Sequence, residues 1–207
     1  MSLVDKTTEK IKKRYNRVAK VFDITEAMME KGKMGEWRAM VWKEAKGKVL
    51  EVGIGTGKNI QYYPDDVEVT AIDFSEEMLL KAKEKAKKLG RNVDLRLMDA
   101  QQLEFQDETF DTVITTCVFC SVPDAVKGLE EIRRVCKENG QIIMLEHVRS
   151  KNPVLGVVMD MLNPVVVRIV GANINRDTIS NIKRAGLNVS VEKDLMMDIV
   201  KHIKCSK

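Results

Sequence analysis

Residues 48–57 read KVLEVGIGTG, a short β-prone run that leads directly into three closely spaced glycines. Glycine adopts backbone conformations that are closed to other residues, and it lets the main chain approach a ligand closely. In an open α/β sheet, ligands bind at the carboxyl ends of the strands. The segment therefore predicts that the first strand of an α/β sheet ends in a ligand-binding loop.

Two common glycine loops fit this segment poorly. A dinucleotide loop, G-x-G-x-x-G/A, would use Gly53 and Gly55, but Lys58 stands where its third small residue belongs. A P-loop, G-x-x-x-x-G-K-[ST], fails at two positions, because Val52 occupies the first position and Asn59 follows the lysine. Neither loop accounts for the segment.

A third pattern places one acid before the glycines and a second acid at the end of the next strand. Glu51 precedes Gly53, Gly55 and Gly57, and Asp73 stands 22 residues after Glu51, at the end of a second β-prone run. A carboxylate at that place can accept hydrogen bonds from both hydroxyl groups of a ribose. This pattern fits the sequence without a missing position.

Strand-like and helix-like segments alternate after residue 48. The predicted strands are 48–54, 68–73, 93–98, 110–116 and 140–146, and the predicted helices between them are 59–63, 75–89 and 124–137. Ser75 is the expected N-cap of the second helix, and Gly90 and Gly140 are expected to follow the ends of the last two helices. The alternation predicts an α/β domain with a mostly parallel, Rossmann-like sheet that has helices on both faces.

The segments outside this alternation are also predicted. Residues 153–172 are apolar but are interrupted by Asp160, Pro164 and Arg168, and a membrane span needs about 20 uninterrupted apolar residues. We therefore expect an irregular helical insertion there. A helix over 177–185 and an antiparallel hairpin, 187–193 with 196–203, complete a seven-stranded sheet. Two helices, over 5–22 and 36–46, are predicted before the sheet.

Composition and charge exclude several classes of function. The chain has 207 residues with a net charge of +4, and its middle, residues 49–150, carries 19 acids against 13 cations. An acidic middle does not suit a nucleic-acid groove. The four cysteines and two histidines lack zinc-finger spacing, which argues against a structural metal site. Free cysteines and the absence of an apolar N-terminal stretch indicate a cytoplasmic protein.

Four motifs, each at a predicted strand end, resemble those of the class I S-adenosylmethionine-dependent methyltransferases. They are residues 51–57, Asp73, residues 98–100 and residues 115–119, and the resemblance runs from about Tyr15 to the C-terminus. In that family the first motif cradles the methionine part of the cofactor, the second binds the ribose, the third meets the adenine amino group and the fourth lies under the cofactor. The resemblance implies S-adenosyl-L-methionine as cofactor and S-adenosyl-L-homocysteine as product.

The resemblance also assigns individual cofactor-binding residues. Phe74 and Met78 are expected beside the adenine, and Tyr15 is expected to close over the methionine end from a lid helix. The set that the resemblance implies is Tyr15, Glu51, Gly53, Gly55, Gly57, Asn59, Asp73, Phe74, Ser75, Met78, Asp99, Ala100, Thr116 and Cys117.

Structural alternatives stay open at several of these positions. Gly57 could serve only the packing of a helix on a strand, and Asp99 could simply cap the turn that follows it. Glu51 could support the loop without contacting the ligand, and Tyr15 could be one residue of an apolar stripe. The spacing of Cys117 and Cys120 also invites a redox role, but the pair does not stand at a helix N-terminus after the first strand.

Three further segments bear on the methyl acceptor. Residues 119–122, 146–148 and 163–177 resemble phosphatidylethanolamine N-methyltransferases and methyltransferase-like alkyl-thiol methyltransferases, and residues 14–23 resemble the lid helix of small lipid and quinone methyltransferases. The thiol enzymes carry an N-terminal membrane anchor, which we do not expect in this chain. Asn173, Asn175 and Arg176 are expected to line the acceptor pocket. Alternatively, Arg176 and Asp177 form only an ion pair and a helix N-cap.

The acceptor must be deprotonated before it attacks the methyl group. An alkyl ammonium has a pKa of about 10.4 and a thiol one of about 8.5, so most of the amine and much of the thiol is still protonated at neutral pH. His147 follows the predicted fifth strand and is the candidate base, with Tyr15 as the second candidate catalytic residue. The alternative for His147 is a structural imidazole bonded to a backbone carbonyl.

Residues 6–20 contain seven cations and one glutamate, and an apolar face lies opposite them. Such a helix suits an anionic membrane surface, although a lid docked on its own domain with a solvated basic back fits equally. We therefore expect a cytoplasmic protein attached peripherally to the inner face of the membrane. Residues 1–46 would form lid helices, residues 47–207 the methyltransferase domain and residues 150–175 an acceptor-side insertion.

The sequence thus predicts a monomeric methyltransferase that acts on a lipophilic acceptor such as the amine of phosphatidylethanolamine, with no nucleic acid and no metal. Three alternatives stay open: a small-molecule thiol S-methyltransferase, a quinone-ring C-methyltransferase, and a protein that binds the cofactor without catalysis.

Overall fold

The computed structural model describes residues 9–11, 33–169 and 171–207 of the chain. Residues 9–11 are helical, whereas the rest of the predicted basic helix, including Tyr15, lies outside the described residues. The strands are β1 (Lys48–Val52), β2 (Glu68–Asp73), β3 (Asp94–Leu97), β4 (Phe110–Thr116), β5 (Cys136–His147), β6 (Asn188–Met196) and β7 (Val200–Ser206). The α-helices are α1 (Gly35–Trp42), α2 (Glu76–Lys88), α3 (Ala125–Val135), α4 (Pro153–Ile169) and α5 (Thr178–Arg184), and a 3-10 helix spans Ile60–Tyr62.

The seven strands form one sheet in the order β3-β2-β1-β4-β5-β7-β6. The first five strands run parallel, and β7 is antiparallel to both β5 and β6. The predicted Rossmann-like, mostly parallel sheet with a C-terminal antiparallel hairpin is therefore confirmed. The strand order reverses between β1 and β4, and Val52 pairs with Ile72 on one side and Thr115 on the other. This switch point is where ligands bind in open α/β sheets.

Helices pack on both faces of the sheet, so the central strands bury apolar side chains on both sides. On one face, Leu129 of α3 and Ile182 of α5 pack in a cluster with inward residues of β4 and β5. On the other face, Trp42 of α1 and Ala82 of α2 belong to a second cluster, which includes residues of β1, β2, β4 and β5. Helices on both faces, as the sequence predicts, leave the carboxyl edge of the sheet as the place for a site.

Side chains cap the N-termini of three helices, and among them the cap at Ser75 was predicted. The Ser75 hydroxyl accepts a hydrogen bond from the Met78 N–H at 3.3 Å at the start of α2. Asp124 accepts one from the Lys127 N–H at 3.1 Å before α3, and Asp177 accepts one from the Ser180 N–H at 3.1 Å before α5. These side chains satisfy backbone donors that a helix leaves unpaired in its first turn.

The expectation that Gly140 follows a helix end was wrong. Helix α3 stops at Val135, and Gly140 lies inside β5, which begins at Cys136. A Cβ at Gly140 would stand 2.7 Å from the Cys136 sulfur and 3.1 Å from the Asp111 carbonyl oxygen. A glycine is needed here because the irregular start of β5 brings the Cys136 sulfur and the Asp111 main chain too close for a side chain. A glycine that ends a helix is selected for its backbone conformation instead.

The segment 153–172 was expected to be an irregular helical insertion, and the helix is confirmed over Pro153–Ile169, but the expected irregularity was wrong. Helix α4 runs without a break through Pro164, and two features favour it. The Asn152 side chain accepts hydrogen bonds from the Val154 and Leu155 N–H groups at 3.0 and 3.2 Å, and Pro153 occupies the first turn, where no N–H is needed. Among the described residues, no helix combines the length and the apolar character needed to cross a membrane.

Candidate functional site

The loop after β1 is held against β2 by its own main chain. The Gly53 and Ile54 N–H groups both donate to the Ile72 carbonyl, at 2.9 and 3.0 Å. All three glycines of the loop have positive φ angles, +72° at Gly53, +56° at Gly55 and +78° at Gly57. Positive φ is strained for residues with a side chain, so the loop conformation depends on glycine.

The three glycines differ in what surrounds them. A methyl group on Gly53 would stand 2.6 Å from a methyl carbon of Val118, and one on Gly57 would stand 2.6 Å from the terminal methyl of Ile60. A methyl group on Gly55 would meet no heavy atom within 4 Å. Gly53 and Gly57 therefore serve close packing inside the protein, whereas Gly55 borders open space.

Glu51 lies beneath the loop in a buried hydrogen-bond network. Its carboxylate accepts a hydrogen bond from the Asn59 amide at 2.6 Å and another from the Tyr63 hydroxyl. The Asn59 amide also donates to Thr116 at 3.1 Å, and its carbonyl accepts from the Arg38 guanidinium at 2.8 Å. Burial raises the pKa of Glu51 to about 7, although the hydrogen bonds from Tyr63 and Asn59 oppose that rise.

Asp73 connects the ends of β1 and β2. One carboxylate oxygen accepts from the Gly55 N–H and the other from the Ser75 N–H, both at 2.9 Å. Burial raises the pKa of Asp73 to about 6. The Phe74 N–H also donates to this carboxylate, so backbone donors use three of its four lone pairs and one is still available to a ligand hydroxyl.

A cavity opens at the carboxyl ends of β1 to β4, and we call it the first cavity. Its walls are mainly apolar, with Ile72, Met98 and Val122 among them, and two carboxylates, Asp73 and Asp99, border it. The predicted cofactor residues that line this cavity are Gly53, Asp73, Phe74, Asp99, Ala100 and Cys117. The predicted residues that do not line it are Glu51, Gly55, Gly57, Asn59, Ser75, Met78 and Thr116.

Asp99 combines the two roles that the sequence left open. Its carboxylate accepts the Gln101 N–H at 2.9 Å and the Gln101 side-chain amide at 3.0 and 2.9 Å, so it caps the turn after β3. The same residue borders the first cavity. The turn therefore fixes the orientation of a carboxylate at the cavity wall.

The loop after β4, residues 117–123, is fixed by a buried acid that the sequence analysis did not place in the site. The fully buried Glu146 carboxylate accepts hydrogen bonds from the Thr115 hydroxyl at 2.7 Å and from the Val118 and Phe119 N–H groups at 3.2 and 3.3 Å. Burial raises its pKa to about 7. The signal in the sequence that could have identified Glu146 is its position, an acid inside the apolar run of β5.

A second cavity adjoins the first, and both are lined by Ile11, Ser121 and Pro123. In the described part of the chain, three cations and one acid border the second cavity: Lys10, Arg176, Arg184 and Asp124. Its cationic lining contrasts with the two carboxylates of the first cavity.

Two of the three predicted acceptor residues line the second cavity. The N–H and side-chain amide of Asn173 donate to the Cys120 carbonyl at 2.7 and 3.0 Å, and the Arg176 guanidinium donates to the Val122 carbonyl at 2.9 Å. Burial lowers the pKa of Arg176. Asn175 instead donates to Asp160 of α4 at 3.0 Å and does not line either cavity.

His147 ends β5, beside the fully buried Glu146. Its imidazole is partly buried, and its Nδ1 atom has no hydrogen-bond partner among the described residues. Burial lowers the pKa of His147, which favours the neutral ring at pH 7. The His147 side chain does not line either cavity.

The cysteine spacing has a structural role in the β4 loop. The Cys120 thiol donates to the Cys117 carbonyl at 3.2 Å, and burial raises the pKa of Cys120 to about 12. A thiol that stays protonated at neutral pH is a poor nucleophile. Within the described residues, no group of three or more histidine, cysteine or acidic side chains could hold a metal ion.

A sequence profile of a methyltransferase domain family matches residues 50–144, the segment that carries the glycine loop and β1 to β5. A demethylmenaquinone methyltransferase of Lactobacillus johnsonii is 30% identical over 189 residues, which cover 84% of this chain and 78% of that protein. The chain belongs to the S-adenosylmethionine-dependent methyltransferase family.

Two further relatives bear on the acceptor and the fold. A phosphatidylethanolamine N-methyltransferase of Cereibacter sphaeroides is 44% identical over 114 residues, 54% of this chain, and the match spans only 56% of the length of that relative. A methyltransferase from Aquifex aeolicus superposes with a TM-score of 0.58 at 21% identity, covering 96% of this chain and 97% of that structure. The second likeness concerns the fold alone.

Proposed function

We propose that this methyltransferase acts on the amine of a phospholipid of the phosphatidylethanolamine type. The observation that supports this proposal is the pair of adjoining cavities, one bordered by two carboxylates and the other by three cations. A nucleoside with a ribose and an exocyclic amino group suits the first lining, and a phosphodiester suits the second. The local identity of 44% to a phosphatidylethanolamine N-methyltransferase supports the same acceptor.

The residues around the first cavity fit S-adenosylmethionine, which when bound supplies a methyl group on a sulfonium. Asp73 would accept a hydrogen bond from a ribose hydroxyl, and Asp99 would accept one from the adenine amino group between Phe74 and Ala100. Open space next to Gly55 leaves room for the methionine end. Glu51 and Asn59 would affect cofactor binding through the glycine loop that they support. Ser75, Met78 and Thr116 would stabilise the structure around that loop.

On the acceptor side, Arg176 would pair with the phosphodiester, since a guanidinium presents several donors to phosphate oxygens. Asn173 fixes the β4 loop that separates the two cavities, through its bonds to Cys120. Asn175 would contribute to acceptor binding only indirectly, through its hydrogen bond to Asp160 of α4. A thiol or a quinone ring carries no phosphodiester that would contact the three cations.

We also propose that His147 takes the proton that the acceptor ammonium must lose. The imidazole, which lines neither cavity, would receive one proton from the ammonium through water. The free amine nitrogen would then be able to accept the methyl group that the cofactor supplies when bound. The lowered pKa keeps the ring neutral and able to accept that proton. Tyr15 would close the cavity from the lid, which we assign to residues 1–46, before the methyltransferase domain at 47–207.

The quinone-ring alternative has its own support, because the demethylmenaquinone relative aligns with 84% of this chain. Labelled methyl transfer separates the acceptors. The full chain is incubated with labelled cofactor and vesicles of phosphatidylethanolamine and phosphatidylglycerol, and label is counted in the phospholipid. Parallel reactions contain a demethylated quinone or an alkyl thiol. Label in the phospholipid supports the proposal, whereas label in the quinone or thiol alone contradicts it.

The base is tested with a matched pair of histidines. We expect His147→Gln to lower kcat about 100-fold at pH 7.5, since general bases contribute roughly 10²–10⁴-fold. His202, in β7, is the control, because it is buried beside Glu44 on the body of the domain, and His202→Gln should leave kcat within about twofold. An equal kcat in the two variants would show that His147 has only a structural role.

A further inference from the structure

Helix α4 presents an apolar face to the outside of the protein. Val154 and Met161 are each 74% exposed and Ile169 is 64% exposed. The other exposed apolar residues of the helix are Val157, Val158, Leu162 and Val165. At about 100° per residue, these seven side chains span an arc of roughly 140° on the helix. A contiguous exposed apolar surface of this kind marks an interaction site in most proteins.

The opposite face of α4 is fixed to the domain, so the apolar face cannot turn inward. Met159 is buried, and the Asn163 side chain accepts the Ile174 N–H at 2.9 Å. Asp160 is the single acid of the helix, and it is bound by Arg149 at 2.8 Å, which neutralises its charge. The outward arc therefore contains no acid, and its one charged residue is Arg168 in the last turn.

The chemistry around this face indicates what covers it. Val167 and Gly171, at the C-terminal end of α4, line the second cavity together with Arg176 and Arg184. An apolar helix face beside a cationic opening is complementary to acyl chains below a layer of anionic headgroups. We infer that the outward face of α4 enters the interfacial layer of an anionic lipid bilayer and brings the second cavity to the headgroups.

This inference rests on the proposed function only for the identity of the lipid that enters the cavity. The helix has 17 residues, and no described helix could cross the bilayer, so α4 would lie in the plane of the interface. The predicted basic helix at the N-terminus would add charge attraction. We assign entry into the lipid layer to α4.

The chain offers a matched control for a test of this surface. Met161, on the outward face, is 74% exposed, and Met197, in the turn between β6 and β7, is 70% exposed. We would measure flotation of the full-length variants Met161→Glu, Val154→Glu and Met197→Glu with vesicles of phosphatidylethanolamine and phosphatidylglycerol. We expect about a tenfold loss of vesicle partitioning for each α4 variant and less than about a twofold change for Met197→Glu, because a charge opposes burial of an apolar surface.

Two results would overturn the inference. One is wild-type partitioning by both α4 variants. The other is a wild-type dimer in light scattering, without lipid, that Met161→Glu dissociates, because a second copy would then cover α4. Activity on dissolved short-chain phosphatidylethanolamine separates the two proposals. Lost partitioning with retained turnover supports both, whereas lost partitioning of a protein that never methylates this lipid supports the surface and contradicts the proposed acceptor.

Discussion

The two sides of the β4 loop are built from contacts of very different sequence separation. On the cofactor side, Asp73 bonds to Ser75 two residues away and to Gly55 18 residues away. On the acceptor side, Asn173 and Arg176 bond to carbonyls in the loop that are 53 and 54 residues away. The first side is a set of strand-end motifs, whereas the second exists only after the C-terminal part has packed on the loop.

The difference has a consequence for how each side responds to substitution. The cofactor side is held by main-chain bonds to carboxylates, so the loss of one acid disturbs binding directly. The acceptor side is held by side chains that bond to main-chain carbonyls, which remain in place when a side chain is changed. We therefore expect larger effects on the cofactor side and more selective effects on the acceptor side.

The largest effect is expected at Asp73. Asp73→Ala should lower the affinity for S-adenosylmethionine by roughly 100-fold, because it removes charge-assisted hydrogen bonds, each contributing about 1.5–3 kcal/mol, both to the ribose and to the Gly55 N–H of the loop. Calorimetric titration measures the affinity, and thermal unfolding tests whether loss of the bonds to Gly55 and Ser75 also destabilises the loop. Asp94→Ala, at an exposed ion pair in β3, is the control and should bind the cofactor normally. Unchanged affinity in Asp73→Ala would refute the loop assignment.

The next largest effect concerns one buried acid on each side, Glu51 and Glu146. Both have a pKa raised from 4.5 to about 7, so the folded state holds more protons than the unfolded state between these values. The free energy of unfolding should therefore decrease as the pH rises through this range and level off above about pH 7. Each acid would contribute about 2–3 kcal/mol to that decrease between pH 5 and 8.

Glu51→Gln and Glu146→Gln test this dependence by urea denaturation at several pH values. Each variant should lose its own part of the decrease, and together they should lose both parts, because the two sites are separate networks. Only Glu146→Gln should also lower turnover of the acceptor, since Glu146 fixes the loop between the cavities. A wild-type pH dependence in both variants would mean that neither acid is responsible.

The smallest effect is expected at Arg176. Arg176→Gln should lower kcat/KM for phosphatidylethanolamine about tenfold and leave cofactor affinity within about twofold, because the guanidinium lines only the second cavity. Lys183→Gln removes an exposed charge from the same helical region and should change neither quantity. Equal losses of cofactor and acceptor binding in Arg176→Gln would erase the distinction between the two sides.

The sequence predicted the elements that depend on local chemistry. The glycine loop and the caps at Ser75 and Asp177 follow from backbone conformation and nearby donors, and these were found where expected. Helix α4 shows the limit of such patterns. Asp160 and Pro164 suggested an interrupted segment, but a bond to Arg149 compensates the acid, and the helix continues through the proline.

By itself, the sequence determined the alternation of strands and helices, the carboxylates at the ends of β1 to β3 and the resemblance to the family, because each is carried by short motifs along the chain. The order of the strands in the sheet came from the structure. The tertiary structure alone decided that Glu146 bonds to the β4 loop, that Gly140 is required beside the Asp111 carbonyl, and that Arg176 meets a carbonyl at the mouth of a second cavity. These contacts join residues that approach only when the sheet has formed, and no local pattern encodes the distance between them.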